Sequence, residues 1–526
     1  MNPTRNARLD RHGFVSMGDS LLVRDDGTKD GHGESFPMRG LFDLDSFRAL
    51  TVTHLVPDVW SQYKDGGLGP EDVQAIISKM EQDDPDWEDA SFAALCRLVR
   101  PLMDELPADV VAIDLDASGK VVRTSTDPAL SPAWSTYYPS VAEYQLRRPV
   151  ATLLRSQLAV TERFRGGSAD KVVCLLDDRT MVFKYRGEAC LYGGVWGEIQ
   201  ILSQLPAGHP HFLTLEALVL EEISGLGVVG FTMRYVASPS LDRWDPSRQF
   251  KLRWLRELMA IVDELNLEYG IMHQDIADRN LLIDPDTGSL VLIDFGYANG
   301  IGHGDHGRGY RGEMPGRDDV KGVVILAYYL VTRDPRYSQY YLDQVDEADV
   351  LDVDKWTSAA AANHAVLDHP PAVFHAEVTA WAARRRAAPP LTHYTQAPKH
   401  LHLPPPPVPP RDVVTHVDDS SGAVTERNLI TAHGLRADRI AAGRPVLRWE
   451  RPPASKVDKS RLLLATGRYA DEEPAADGPG LAVPDSKRGF PQPPVPVAVE
   501  GGESGGDKRP QGVDANGTSK KRRRRG

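Results

Sequence analysis

Apolar positions along the chain recur first at helical and then at strand spacings. Across residues 70–106, Val73, Ile76, Ile77 and Met80, then Phe92, Leu95, Leu98, Val99 and Leu102, repeat every three or four residues. That spacing predicts two amphipathic helices broken near Asp84-Pro85. The apolar runs 110–115 and 121–123 flank Asp116-Ala117-Ser118-Gly119 and predict a hairpin. Residues 1–150 therefore read as an accessory α+β region whose stripes are core or docking surface, with no catalytic constellation.

From about residue 152 the order of signals changes. Runs 158–164, 172–176 and 181–185, separated by Gly166-Gly167 and by Asp177-Asp178-Arg179, predict three successive strands with tight turns. Alternation in the third places Lys184 on the face of Val182. A helical stretch around Glu198 follows, then a strand at 231–236. Next comes a strong helical pattern at 250–269, from Leu252, Leu255, Leu258, Met259, Ile261, Val262 and Leu265. Two short apolar runs, 280–283 and 290–293, flank Asp284-Pro285-Asp286-Thr287-Gly288 and predict a second hairpin. Helices are expected at 319–332 and 371–386.

Polar groups crowd the open end of that second hairpin: His273, Asp275 and Asn280 before it, Asp294-Phe295-Gly296 after it. Carboxylates held there can face one another around a divalent ion, an arrangement suited to phosphoryl transfer. The spacing is more specific still. His273-x-Asp275 followed by Asn280 reproduces H-x-D-x-x-x-x-N, and Asp294 opens a literal D-F-G nineteen positions after Asp275.

On these residues the chain resembles the protein kinases and their kinase-like relatives. The resemblance implies an α+β, two-lobed protein kinase-like fold over 152–388, with a small β-rich N-lobe and a helical C-lobe. It implies ATP and Mg²⁺ between the lobes. Asp275 would orient or deprotonate an acceptor hydroxyl, while Asn280 and Asp294 would bind the metal. Lys184, ninety-one residues before Asp275, would hold the α- and β-phosphates and pair with Glu198, fourteen positions on. Glu188 is the poorer candidate for that pairing. His209-Pro210-His211-Phe212-Leu213 resembles the turn that leads from that helix to the fourth strand. Met233 would back an adenine pocket, and backbone groups from Arg234 through Tyr235 to Val236 would pair with the base. Asp319 would brace the catalytic loop from beneath.

The chain also departs from that family. Phe164-Arg165-Gly166-Gly167-Ser168-Ala169 stands where G-x-G-x-x-G is expected, so Gly166 and Gly167 are left to form a tight turn over the phosphates. Only twenty-four residues separate Asp294 from Asp319, without A-P-E, and Gln274 replaces the Arg that would meet an added phosphate. Switching by loop phosphorylation is not expected. Arg279 stands four positions after Asp275, as in tyrosine kinases. His303 and His306 invite a metal reading, against which a solvated glycine-rich loop at 300–312 is preferred. The first expectation for function is phosphorylation of a protein hydroxyl. A small-molecule kinase of the aminoglycoside or choline type and a silent pseudokinase scaffold are the alternatives.

Composition changes this picture mainly at the end of the chain. Prolines concentrate after residue 388, so 389–526 is expected to be a disordered, Pro-rich tail with polyproline II at 403–410 and one short helix within 424–440. It closes on six cations, from Lys520 to Arg525, which suit an importin or an acidic surface. A net charge of −13 argues against general nucleic-acid binding. Three scattered cysteines, Cys96, Cys174 and Cys190, give no disulfide framework. With no apolar run of membrane length, a soluble protein of the cytoplasm or nucleus is expected, with no membrane partner.

Overall fold

The structure is a computed structural model. It describes residues 14–16, 38–54, 87–116, 118–164, 168–187, 194–223, 227–245, 247–304, 317–334, 336, 345–407, 412–417, 424–429, 434–441 and 443–472. The fold is mixed α+β. Its first part is a five-stranded sheet in the order β1-β2-β3-β4-β5. The strands are β1 (Phe14–Ser16), β2 (Met38–Asp43), β3 (Ala49–His54), β4 (Ala112–Leu115) and β5 (Val121–Ser125). Helix α1 (Trp87–Met103) joins the parallel pair β3 and β4, packing Cys96, Val99 and Met103 on Leu41, Leu50 and Ile113. It begins just past Asp84-Pro85, where the break is expected; the first of the two expected helices lies outside the described residues. The 112–125 hairpin forms as the pattern predicts, with Asp116 accepting the backbone N–H of Ser118 and Lys120.

A six-stranded sheet follows, from β6 (Ala151–Leu154), β7 (Leu158–Arg163), β8 (Ala169–Cys174), β9 (Thr180–Tyr185), β10 (Leu215–Leu220) and β11 (Val228–Arg234), in the order β6-β10-β11-β9-β8-β7. Helix α2 (Gly194–Leu202) sends Ile199 and Leu202 into the core beside Phe231 of β11. Gly230 is required where β11 crosses β9: a Cβ there would lie 2.2 Å from the Lys184 carbonyl oxygen. This close approach fixes the strand that carries Lys184.

The helical part starts with α3 (Leu252–Asp263), whose last turn widens into a π-helix over Glu264–Glu268. The short hairpin of β12 (Leu281–Ile283) and β13 (Leu290–Leu292) comes next, closed by Gly288 at φ 68°. Helices α4 (Asp319–Thr332), α5 (Val353–Ala362) and α6 (Pro371–Ala387) complete it. The turn at His209–Phe212 docks on the hairpin, with the Leu292 N–H donating to His211 O at 2.8 Å. No helix among the described residues is long and apolar enough to cross a membrane.

The expectation of a disordered chain from 389 onward fails for 389–407 and 443–472. Residues 391–403 run behind the helical part. Tyr394 N–H donates to Ile301 O, Lys399 N–H to Glu268 O, and the Gln204 amide exchanges two bonds of 2.8 Å with the His402 backbone. Residues 447–465 return to the six-stranded sheet, where Val160 N–H donates to Leu463 O and Ala465 N–H to Leu158 O. Trp449 stacks on Tyr185 at 5.1 Å, under the Arg155 guanidinium at 4.5 Å, and its Nε1 donates to Tyr138 Oη. Arg451 pairs with buried Asp170 at 2.7 Å. Proline fixes φ without forbidding packing, and Trp449, Leu463 and Leu464 between the prolines supply the apolar surface that composition averages away. Residues 424–429 pair with 412–417 as strands, and the one short helix is Arg436–Ala441. Lys520 to Arg525 lie outside the described residues.

Trp449 is 3 % exposed, so Trp449→Ala should cost roughly 3–5 kcal/mol of unfolding free energy, read from denaturant midpoints. A loss under about 1 kcal/mol would show that the returning segment is not part of the folded core.

Candidate active site

Strand alternation and a helix meet at one ammonium. On β9, Lys184 lies opposite Phe231 of β11, with Val182 opposite Met233. Lys184 thereby reaches out on the side that α2 covers, and Nζ stands 2.8 Å from the Glu198 carboxylate. On its other side Nζ donates to Asp294 Oδ1 at 2.6 Å. The backbone N–H of Phe295 also donates to Glu198 Oε1 at 3.1 Å, tying α2 to the segment after β13. Asp294 adopts the left-handed conformation, φ 64°, and its Oδ1 accepts the Gly296 N–H.

The electrostatics of this cluster follow from depth. Burial works to lower the Lys184 pKa, but the charges of Asp294 and Glu198 outweigh it and hold the ammonium above its ordinary value. Glu198 is 1 % exposed, and burial pushes its carboxyl above the usual range against the pull of Lys184, with the Asp294 charge adding to the rise. Asp294 keeps 44 % of its side chain in solvent. Burial opposes its ionisation too, yet the charge and bond of Lys184 prevail and bring it down to about 2. Of two carboxylates sharing one cation, the deeper is the harder to ionise.

A second cluster forms on the loop between residue 272 and β12. Asp319, at the start of α4, accepts the N–H of His273 and of Gln274 at 2.8 Å each and Asn266 Nδ2 at 2.9 Å. Burial pushes this carboxyl above its ordinary value. The same bonds let Gln274 hold a left-handed turn at φ 61°, with its amide donating to Tyr297 O. Asp275 comes next. Arg279 Nη2 binds both of its oxygens, at 2.6 and 2.8 Å, and Asn280 Nδ2 donates to Oδ2 at 2.8 Å and to the Asp275 carbonyl at 2.9 Å.

The two clusters adjoin. Ile293 N–H donates to Asn280 O at 2.9 Å, so Asp294 sits one residue beyond the position facing Asn280. His273 Nε2 lies 3.1 Å from Ile293 O, and its ring meets Phe295 edge-on at 4.9 Å. The Asp294 charge also acts on Arg279. Asn280 Oδ1 and Asp294 Oδ2 accept no bond from any described residue, which leaves two hard oxygen donors of the kind Mg²⁺ takes.

The structure thus brings together Lys184, Glu198 and Asp294, and beside them Asp275, Arg279 and Asn280. Met233 and Val236 are buried where β11 leaves the sheet, and the Tyr235 ring carries Lys171 Nζ at 4.2 Å. Gly166, Gly167, Glu188 and His306 lie outside the described residues. His303 corrects the solvated-loop expectation: it is buried, with Nδ1 at 3.0 Å from Asn299 Oδ1 and its carbonyl accepting Asn299 Nδ2. No cluster of three metal-ligating side chains occurs among the described residues. Sequence reasoning missed Asn266, which belongs to no motif, and Arg317, whose Nη1 lies 3.6 Å from Asp275 Oδ1; the only signal for Arg317 is its place just ahead of Asp318-Asp319. Against models of known protein families the chain gives no match, and no curated protein matches it.

Removing the Asp319 carboxylate would strand three buried donors at about 1–3 kcal/mol each, so Asp319→Ala should cost roughly 3 kcal/mol or more in chemical denaturation. A cost near zero would mean the loop is braced from elsewhere.

A second prediction concerns pH. With its carboxyl lowered to about 2, Asp294 contributes stability that is complete above its unfolded value of about 3.9 and fades as pH falls toward the folded one. The thermal-stability advantage of wild type over Asp294→Asn should therefore be constant above about pH 5 and shrink between about pH 4 and 2. An advantage that grows on acidification would contradict the assignment.

Proposed function

We propose that the protein is an ATP- and Mg²⁺-dependent phosphotransferase with a two-lobed protein kinase-like fold, the six-stranded sheet and α2 as one lobe and the helical part as the other. The observation that carries this reading is Lys184 Nζ held between Glu198 and Asp294, the latter opening D-F-G. In protein kinases a strand lysine paired with a helix glutamate meets the phosphates, and the D-F-G aspartate meets the metal.

Lys184 would bind the α- and β-phosphates, its charge secured by its two carboxylates. Asn280 and Asp294 would hold Mg²⁺ through their unspent oxygens. Bound there, the ion would supply positive charge against the charge that develops on the phosphates. Met233 and the backbone from Arg234 to Val236 would receive the base. Asp275 would orient the acceptor hydroxyl and take its proton as the acceptor oxygen bonds to the γ-phosphorus, the bond to the β–γ bridging oxygen breaks and ADP leaves.

The acceptor read first is a protein hydroxyl. A small-molecule hydroxyl is the second reading, favoured by the twenty-four residues between Asp294 and Asp319 and by a helical part that ends with α6 at residue 387.

Incubation with γ-labelled ATP and Mg²⁺ should transfer label to a protein or a metabolite fraction, and the labelled fraction decides between the two acceptors. Asp275→Ala should abolish transfer while ATP still raises the melting temperature. Undiminished transfer by Asp275→Ala would contradict its role.

A further inference from the structure

Residues that pair across neighbouring antiparallel strands share a face of the sheet. Lys171 on β8 pairs with Val182 on β9, which pairs with Met233 on β11; Ala169, Lys184 and Phe231 form the next row on the same face. This face looks toward α2 and the helical part. Val182, Phe231 and Met233 pack into the core shared with them, while Met181 and Phe183 turn to the opposite side. On β8 the two faces differ in depth: Asp170, Val172 and Cys174 are buried, whereas Ala169, Lys171 and Val173 are half-buried. Lys171 is thus a cation in an otherwise apolar row, next to the row of Lys184.

Its side chain does not simply stand out into solvent. Nζ rests 4.2 Å from the centre of the Tyr235 ring. Tyr235 follows the last residue of β11, and β9 lies between β11 and β8. The two side chains therefore meet across an intervening strand, over two interstrand spacings of roughly 4.8 Å each. The contact is of the cation–π kind, and it lays a bar along the Val182 face two residues beyond Met233.

Met233 and the backbone from Arg234 to Val236 are the groups assigned to the base. We propose that Lys171 and Tyr235 form a gate over that base-binding end, which an entering nucleotide must part, and that the closed gate lowers nucleotide affinity. The inference rests on the phosphotransferase reading for what passes the gate. Lys171 has the freedom to open it, being a compact charge on a flexible four-carbon stem. Glu162, which pairs with Lys171 from β7, offers an exposed carboxylate on the side away from β9.

The first arm of the test needs no nucleotide. With the lysines of the full chain carrying isotope-labelled methyl groups, which keep the charge, the Lys171 resonance should be moved upfield by the Tyr235 ring and return to its ordinary position in Tyr235→Leu. An unshifted resonance in wild type would overturn the gate. The second arm is calorimetric titration with a non-hydrolysable ATP analogue and Mg²⁺. Lys171→Met and Tyr235→Leu should each bind roughly 3- to 10-fold more tightly than wild type, the fold-change expected from losing a half-buried cation–π contact. Lys171→Arg and Tyr235→Phe, which keep the cation and the ring, should stay near wild type. A variant that merely loosened the fold would weaken binding, so tightening separates the gate from a structural contact. Equal or weaker binding by Lys171→Met would sink the gate and leave the phosphotransferase reading standing. Binding by neither wild type nor Lys171→Met would sink that reading, and the gate with it.

Discussion

One buried ammonium organises the molecule's chemistry. Lys184 comes from a strand, Glu198 from a helix and Asp294 from the end of a hairpin 110 residues further along, and each is tolerable in its place only because the others are there. A lysine taken this far from water needs a full counter-charge, and the deeper carboxylate cannot supply it alone, being itself raised by burial. The more exposed Asp294 completes the balance. The arrangement leaves Asp294 ionised, with one oxygen on the ammonium and the other directed elsewhere.

Around that centre the chain builds rigidity from the backbone outward. Asp319 collects two loop N–H groups and an asparagine amide, and so sets the direction in which Asp275 leaves the loop. The His273 and Phe295 rings meet edge-on between the two clusters, and Phe212 meets Phe295 at 6.3 Å, so the loop, the segment after Asp294 and the turn after α2 share one apolar contact. From behind, residues 391–403 bind both Gln204, just past the end of α2, and Ile301. Elements carrying Glu198, Asp275, Asn280 and Asp294 are thus tied by contacts that involve no ligand.

Much of this was legible in the sequence because the signals were local. Period-two alternation placed Lys184 beside Val182, the Asp284 to Gly288 turn fixed the hairpin register, and the distance from Asp275 to Asp294 equals a loop plus that hairpin. What escaped was non-local. Nothing in the residues around Trp449 announces Tyr185 as its partner, and proline content there pointed to an open chain. Arg317 belongs to no motif, and its place beside Asp275 comes from the loop that Asp319 holds. His303 looked like a free loop histidine because its partner, Asn299, is an unremarkable residue.

The phosphotransferase proposal requires that Lys184 and a metal together grip a nucleoside triphosphate. Calorimetric titration of wild type and Lys184→Met with a non-hydrolysable ATP analogue, with and without Mg²⁺, tests it most directly. Saturable one-site binding by wild type that weakens without Mg²⁺ and is lost in the variant is the predicted result. No heat of binding in wild type, or equal affinity in Lys184→Met, would contradict it.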